Sequence, residues 1–174
     1  WQMENNIDDS FGSYNGGAWS GGISQYSPFM VGNAANFDGN KKITIPASNI
    51  SFDTSFTIEM QIKAMNYSGS LFKKSSYTIE LTPNNRILAK VGSANVSSPP
   101  LNLNTAYYIA LVWDTSNANL ILYINGNKVN ETTLLGRAND NGNLFIGEGF
   151  SGLIDEIAIY SRNLPAGIIN LHYF

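Results

Sequence analysis

Apolar and polar residues alternate along most of the chain, and this pattern predicts strands. Apolar side chains occupy every second position of the segment 55–64, from Phe56 to Ile62, with polar side chains between them. A period of two residues is typical of a strand with one face in a core and the other in water. The segment 106–113 is apolar or aromatic at every position, which predicts a central strand of a sandwich.

Shorter extended segments follow at close spacing, separated by turn residues. Residues 83–85 (PNN) and 125–126 (NG) predict hairpin turns, the second because Asn and Gly accept positive φ angles. Pro165 opens a short predicted helix over residues 165–172. Further strands are predicted at 70–74, 76–81, 86–91, 119–124, 144–147 and 153–160.

The first 40 residues contain many turn formers and little periodicity, and only residues 1–3 form a candidate opening strand. Many short strands without a long helical segment predict an all-β fold, a sandwich or jelly roll of two antiparallel sheets with a short C-terminal helix. We predict a single domain over residues 1–174, because a chain of this length can bury a core without cross-links.

Composition excludes several kinds of site. The chain has no cysteine, which excludes disulfides and cysteine-ligated zinc. A net charge of -3 with 13% charged residues provides no basic field for nucleic acid. The polar surface must therefore consist largely of Asn, Ser, Thr and Gly. Such a surface suits glycans, although an Asn-rich genome would encode it in any protein.

Targeting signals are absent from the sequence. No apolar run reaches the ~20 residues of a membrane-spanning helix. The chain begins at Trp1 with neither a basic nor an apolar leader segment, so we expect a mature product or a segment of a longer protein.

The closing segment 147–165 reads GEGFSGLIDEIAIYSRNLP. It resembles the motif Gly-x-Ile-Asp-Glu-Val-x-Ile-Tyr-x-Arg-x-Leu of the laminin-G-like domains in the concanavalin A-like lectin/glucanase superfamily. Gln61 and Asn125 depart from the family pattern, which commonly has an aromatic residue and Asp there. The resemblance implies a concanavalin A-like jelly roll over nearly the whole chain. Four further motifs resemble the family in the same order, at 35–46, 56–58, 107–114 and 120–129.

Asp155 lies in the middle of the apolar closing strand. A buried carboxylate there needs backbone amides, a cation or a metal as its partner. The resemblance implies a structural calcium that ties an early Asp-containing loop to this strand, with Asp9 and Asp155 as ligands and Asn15 and Asp38 as further ligands. Asp8 is an alternative to Asp9, because the register of the loop is not fixed. A plain hydrogen-bonded role stays open for each residue, and Asp before Gly, as at Asp38, is often a turn former.

The same superfamily includes glycoside hydrolases, so the resemblance alone leaves an enzyme open. A retaining glycosidase needs two carboxylates about 5 Å apart, and no run of acids at alternating positions exists. The single histidine, His172, falls in the predicted terminal helix, where an ordinary surface or packing role is expected. A polysaccharide lyase would need a cluster of Gln, His, Arg and Tyr on one sheet face, and the sequence indicates none. We therefore predict a protein without catalytic residues.

The predicted function is a non-catalytic extracellular or cell-surface recognition and adhesion module that binds carbohydrate or a surface protein. Candidate glycan-stacking rings are Tyr14, Trp19, Tyr26 and Phe150, although each can instead anchor its segment to the core. The alternative is a structural subunit of an extracellular filament, sheath or virion coat, in which copies of the chain self-assemble.

Four Asn-x-Ser/Thr sequons are candidate N-glycosylation sites. About this number is expected by chance from the heavy use of Asn, Ser and Thr. The sequons are Asn49, Asn66, Asn95 and Asn130.

Overall fold

The computed structural model describes residues 1–6, 8, 18–20, 26–46, 54–136 and 142–174. In this part of the chain the strands form two antiparallel sheets, and one short helix follows them. Sheet A consists of β1 (Ala18–Ser20), β4 (Lys42–Ile45), β13 (Leu144–Ile146), β6 (Ser70–Lys74), β7 (Tyr77–Leu81), β8 (Ile87–Val91) and β9 (Ala94–Ser97), in that spatial order. Sheet B consists of β12 (Asn127–Thr133), β11 (Asn119–Ile124), β10 (Ala106–Asp114), β5 (Phe56–Ala64), β14 (Ser151–Tyr160), β3 (Asn33–Asp38) and β2 (Tyr26–Pro28). The helix α1 spans Ala166–Tyr173.

The inner faces of the two sheets enclose the main hydrophobic core. Alternate residues of β5, from Phe56 to Ile62, are fully buried in it, as the period of two predicts. Trp113 packs edge-on against Phe56, with ring centroids 5.8 Å apart. The all-β jelly-roll prediction is confirmed, and β10 is a central strand as expected.

The turn and helix predictions also agree with the structure. Asn125 and Gly126 have φ angles of 51° and 74°, so both adopt the left-handed conformation that the hairpin requires. Pro165 caps α1, which begins one residue later. No helix among the described residues is long and apolar enough to cross a membrane.

Two expectations about the strands were wrong. The first 40 residues include β2 and β3, which pair with each other and add to one end of sheet B. Both strands are short and mix apolar with polar residues, so they do not show the period of two residues that predicts a strand. The outer face of β5 is also not in water, since Thr57 is 0% and Glu59 4% exposed.

A second, smaller core explains the burial of that outer face. Helix α1 packs across the outer side of sheet B, where Leu164 and Ile169 contact Tyr108, Val112 and neighbouring apolar residues. The C-terminal end of α1 reaches the turn between β11 and β12, where a Cβ added to Gly126 would meet Asn170. The helix therefore covers a sheet face whose alternation predicts exposure.

Candidate functional site

Asp155 lies on β14 beside Gln61 of β5. Ile154 and Ile62, the preceding cross-strand pair, face the main core, so Asp155 and Gln61 point to the outer side of sheet B. An extra residue, Glu156, bulges from the strand with φ of 48°. Asp155 is 0% exposed, and neither of its carboxylate oxygens has a hydrogen-bond partner among the residues that the structure describes.

Burial raises the pKa of Asp155 to about 7. The neighbouring backbone amide of Glu156 opposes this rise, while the carboxylates of Glu156 and Glu4 add to it. Glu4 is held in place because its Oε2 accepts the backbone N–H of Asn33 at 3.0 Å. Among the described residues, the amino group of Trp1 is the positive group that lowers the pKa of Asp155, and it does not offset the effect of burial.

The Asp155 carboxylate fits one position of a calcium site. Calcium takes carboxylate, amide and carbonyl oxygens in flexible geometry, and a buried carboxylate with two unpartnered oxygens is such a donor. Asp9 and Asn15, the other main ligands that the resemblance implies, lie outside the described residues. Asp8, the alternative to Asp9, is exposed and donates its backbone N–H to Asn6. Within the described ranges, no group of three or more His, Cys, Asp and Glu side chains could hold a metal.

Asp38 does not join this site, which corrects the prediction that it is a further ligand. It pairs with Ser151, four residues before Asp155 on β14, so the two acids are separated by ~13 Å along the strands. The oxygen atoms that bind one calcium ion lie within about 5 Å of each other. Asp38 instead accepts the backbone N–H of Asn40 at 3.0 Å and pairs with Lys41 at 3.1 Å. These contacts make it a turn former, and they hold its pKa below the usual value.

A row of polar side chains crosses the outer side of sheet B, and the sequence pattern does not predict it. Tyr108, Gln61 and Asp155 are cross-strand neighbours on β10, β5 and β14. The buried side-chain oxygens of Gln61 and Asp155 have no hydrogen-bond partner among the described residues, whereas the Tyr108 hydroxyl lies near Glu59. The three strands are far apart in the sequence, and only their register in the sheet brings these side chains together. No local sequence pattern therefore predicts the row.

Glu59 lies two residues before Gln61 on β5, and its side chain contacts His172 of α1. His172 Nδ1 is 3.0 Å from Glu59 Oε2. Burial, followed by the Glu59 carboxylate, raises the pKa of both Tyr108 and Tyr160. His172 thus has a partner that the sequence did not reveal. The Glu59 side chain is 5% exposed beneath α1, whereas the His172 side chain on the helix is 38% exposed, and this pairing suits a structural attachment of the helix.

The candidate stacking rings fall into different places. Phe150 is 0% exposed and packs 6.3 Å from Phe37, so its assignment as a glycan-stacking ring was wrong. Its position after a turn hides the fact that it enters the core. Tyr26 is half-buried on the edge strand β2. The backbone of Trp19 pairs with Ile43 in sheet A, and Tyr14 lies outside the described residues.

Three of the four sequons lie at exposed positions, namely Asn66, Asn95 and Asn130. The side-chain nitrogen of Asn130 donates to the carbonyl oxygen of Ser97 at 3.0 Å. Asn49 lies outside the described residues. Modification at these sites stays a prediction.

The outer side of sheet A carries charged side chains in pairs. Glu148 accepts hydrogen bonds from Lys42 at 2.7 Å and from Lys73 at 2.6 Å. Lys42 also lies 4.4 Å from the centre of the Phe145 ring. These contacts satisfy the lysines and cover part of the ring.

A cavity of about 390 Å³ opens at one rim of the sandwich. It lies where β5 begins, β10 ends and β11 begins, and the residues that follow β12 form its outer wall. Among the residues that the structure describes, its lining consists of Thr54, Trp113, Thr115, Ala118, Leu134, Leu135 and Gly136, and none of these is charged. The volume lies in the range of about 300–1,000 Å³ that small-molecule sites occupy.

The chain matches the laminin-G model of the concanavalin A-like lectin/glucanases superfamily over residues 37–170. It is similar to domain 4 of AbnA, an extracellular arabinanase of Geobacillus stearothermophilus solved with arabinotriose. The identity is 21% and the TM-score 0.78, with 98% of this chain and 94% of that chain covered. No curated protein sequence is significantly similar to the chain.

Two toxin structures show the same fold. Botulinum neurotoxin type C, whose cell entry depends on two ganglioside molecules, is 15% identical with a TM-score of 0.74. The binding domain of botulinum neurotoxin DC, solved with rat synaptotagmin II, is 13% identical with a TM-score of 0.74. Each comparison covers 99% of this chain but only 49% of the toxin chain. The chain therefore spans about half the length of these toxin structures.

Proposed function

The chain belongs to the concanavalin A-like lectin/glucanase superfamily, and from this premise we propose that it is a non-catalytic carbohydrate-binding module that acts outside the cell or at the cell surface. The observation that carries the proposal is the uncharged cavity at the rim of the sandwich. Glycan sites combine apolar walls with a few hydroxyl or amide groups, and this lining has that composition.

Similar folds that bind sugars support the proposal. The arabinanase domain was solved in complex with arabinotriose, and cell entry of the type C neurotoxin depends on two ganglioside molecules. The arabinanase domain is similar over nearly its whole length, which fits an accessory module. A protein partner is the other outcome to test, since the related DC domain was solved with synaptotagmin II.

We also propose that a structural calcium attaches the N-terminal segment to β14. Asp155 would supply one ligand, since its buried carboxylate lacks a partner. Asp9 and Asn15 would supply others from the early loop. When bound, the ion would neutralise Asp155 and cross-link two segments that are distant in sequence. No catalytic step is assigned to it.

A glycan array probed with the purified chain tests the function, with one arm in calcium and one in chelator. Selective binding to a group of related glycans is the expected result. Loss of that binding in chelator would mean that the metal-dependent segment supports the binding site. A chain that binds no glycan in either arm, while its circular dichroism shows folded β structure, would contradict the carbohydrate-binding proposal and favour a protein partner.

A further inference from the structure

We infer that the rim cavity binds one neutral sugar residue of a larger glycan, between the Trp113 floor and the Leu135 wall; this inference rests on the proposed function. The described lining comes from three stretches of the chain, represented by Thr54, Trp113 and Leu135. Trp113 lies in β10, and the other lining residues lie in the turns and connections where β5 and β11 begin and where β10 and β12 end.

The apolar part of the lining fits the carbon face of a sugar ring. Leu134 is 5% exposed and belongs to the main core, whereas Leu135 is 79% exposed. A large apolar side chain with this exposure gains free energy when a ligand covers it. A Cβ added to Gly136 would meet no atom within 4 Å, which indicates open space beside Leu135.

The polar part of the lining fits sugar hydroxyl groups. Thr115 shares a hydrogen bond of 2.8 Å with Ser55 through their hydroxyls, and its backbone N–H donates to the same Ser55 oxygen. A hydroxyl has one donor and two acceptor positions, so the Thr115 hydroxyl keeps unused capacity toward the cavity. The Thr54 side chain is exposed at the cavity entrance.

Trp113 provides an independent indication of a missing polar partner. The residue is 2% exposed, lines the cavity, and its indole N–H has no hydrogen-bond acceptor in the described part of the chain. A buried donor without an acceptor carries a desolvation cost. A sugar oxygen that reaches this N–H after a small shift of the lining would remove that cost.

The same lining disfavours charged sugars. Within the described part of the chain, none of its residues is a Lys, Arg or His that could pair with a carboxylate or sulfate. An anionic group buried there would be unpaired, which is costly. The site is therefore assigned to neutral sugars, and an acidic group on the glycan would have to remain outside the cavity.

The test is a calorimetric and tryptophan-fluorescence titration with arabinotriose, xylotriose, cellotriose, lactose and sialyllactose. We expect at least one neutral oligosaccharide to bind and to change Trp113 emission in a Trp1→Phe, Trp19→Phe background. We also expect sialyllactose to bind no more tightly than lactose. Leu135→Ala and Thr115→Val should each weaken binding at least tenfold. Trp113→Phe, which removes the N–H, should weaken it as well if its melting temperature stays near that of the wild type.

Leu171→Ala is the matched control, because Leu171 is also an exposed leucine, at 68%, but lies on α1. It should change affinity less than twofold. If the wild type binds a neutral sugar and the Leu135 and Thr115 variants bind it equally well, the assignment to this cavity is wrong while the carbohydrate-binding function stands. Tighter binding of sialyllactose than of lactose would overturn the neutral class. If these sugars and every array glycan fail to bind, the proposed function fails and the assignment fails with it.

Discussion

Sheet B carries Thr57 and Glu59 on its outer side, and sheet A carries Lys73 and Lys90. The first two residues are 0% and 4% exposed, whereas the lysine side chains are 46% and 49% exposed. Thr57, Glu59 and Lys90 occupy polar positions in strands whose apolar and polar residues alternate. Alternation therefore identifies the side chains that leave the main core but does not show whether they reach water.

The difference arises from α1, which covers sheet B and leaves sheet A open. Under the helix, Glu59 loses water and has His172 as a close partner. On sheet A, Glu148 and Glu80 pair with lysines at the surface, where ion pairs contribute little because water and salt screen them. Polar residues at equivalent positions thus contribute differently to the stability of the protein on the two faces.

The largest expected effect concerns the outer side of sheet B, which α1 covers. Ile169 of α1 is 0% exposed and belongs to the smaller core on this side. Ile169→Ala should lower the free energy of unfolding by about 2–5 kcal/mol, because it removes buried methyl groups and leaves a cavity. Urea denaturation measures the change. The control is Ile168→Ala on the same helix, where the side chain is 37% exposed and the loss should be below about 1 kcal/mol. Equal effects of the two variants would show that α1 does not cover sheet B as described.

Asp155→Asn should have an intermediate effect that depends on calcium. In calcium at 100 times its Kd, the bound ion contributes about 2.7 kcal/mol of stability, so chelator should lower the melting temperature of the wild type but not that of the variant. Thermal unfolding with and without chelator measures this. Equal melting temperatures of the wild type in both conditions would refute the calcium site.

The chelated wild type should also show a pH dependence that the Asn variant lacks. The folded pKa of Asp155 is about 7, above its usual value of 3.8. A raised pKa in an acid means that the folded state holds the proton more tightly. The resulting stability is complete below about pH 4 and is lost as pH rises through about 7.

The smallest expected effect concerns the open face. Lys42 and Lys73 hold the pKa of Glu148 below its usual value of 4.5. Glu148→Gln should cost below about 1 kcal/mol at pH 7 and low salt, since the pairs are partly exposed. The difference between wild type and variant should vanish as pH falls through the lowered pKa, and it should shrink in 1 M salt. A loss as large as that of Ile169→Ala would mean that the two faces do not differ in the way described.

Much of the fold follows from local sequence. The period of two in β5, the Asn125-Gly126 turn and Pro165 at the start of α1 each reflect a preference of a few neighbouring residues. Segments in which apolar and polar residues do not alternate are harder to predict. The residues of β3 show no period of two, so their pattern does not indicate a strand. Phe150 was placed at the surface because a turn context does not reveal that a ring points inward.

The candidate sites were less accessible to sequence reasoning. Asp155 was identified, because a carboxylate in an apolar strand is conspicuous without any knowledge of its neighbours. The His172–Glu59 pair and the polar row on sheet B were missed, because their members are far apart in the chain. Asp38 was wrongly grouped with Asp155, since only the register of β3 and β14 shows their separation.

The sequence by itself determined the all-β class, the positions of most strands and turns, and the family, because these depend on periodicity and on short motifs. Only the tertiary structure decided that α1 covers sheet B, that Asp155 lacks a partner and that an uncharged cavity opens at the rim. Burial and cavities depend on contacts between residues such as Thr54 and Leu135, which no local pattern relates to each other.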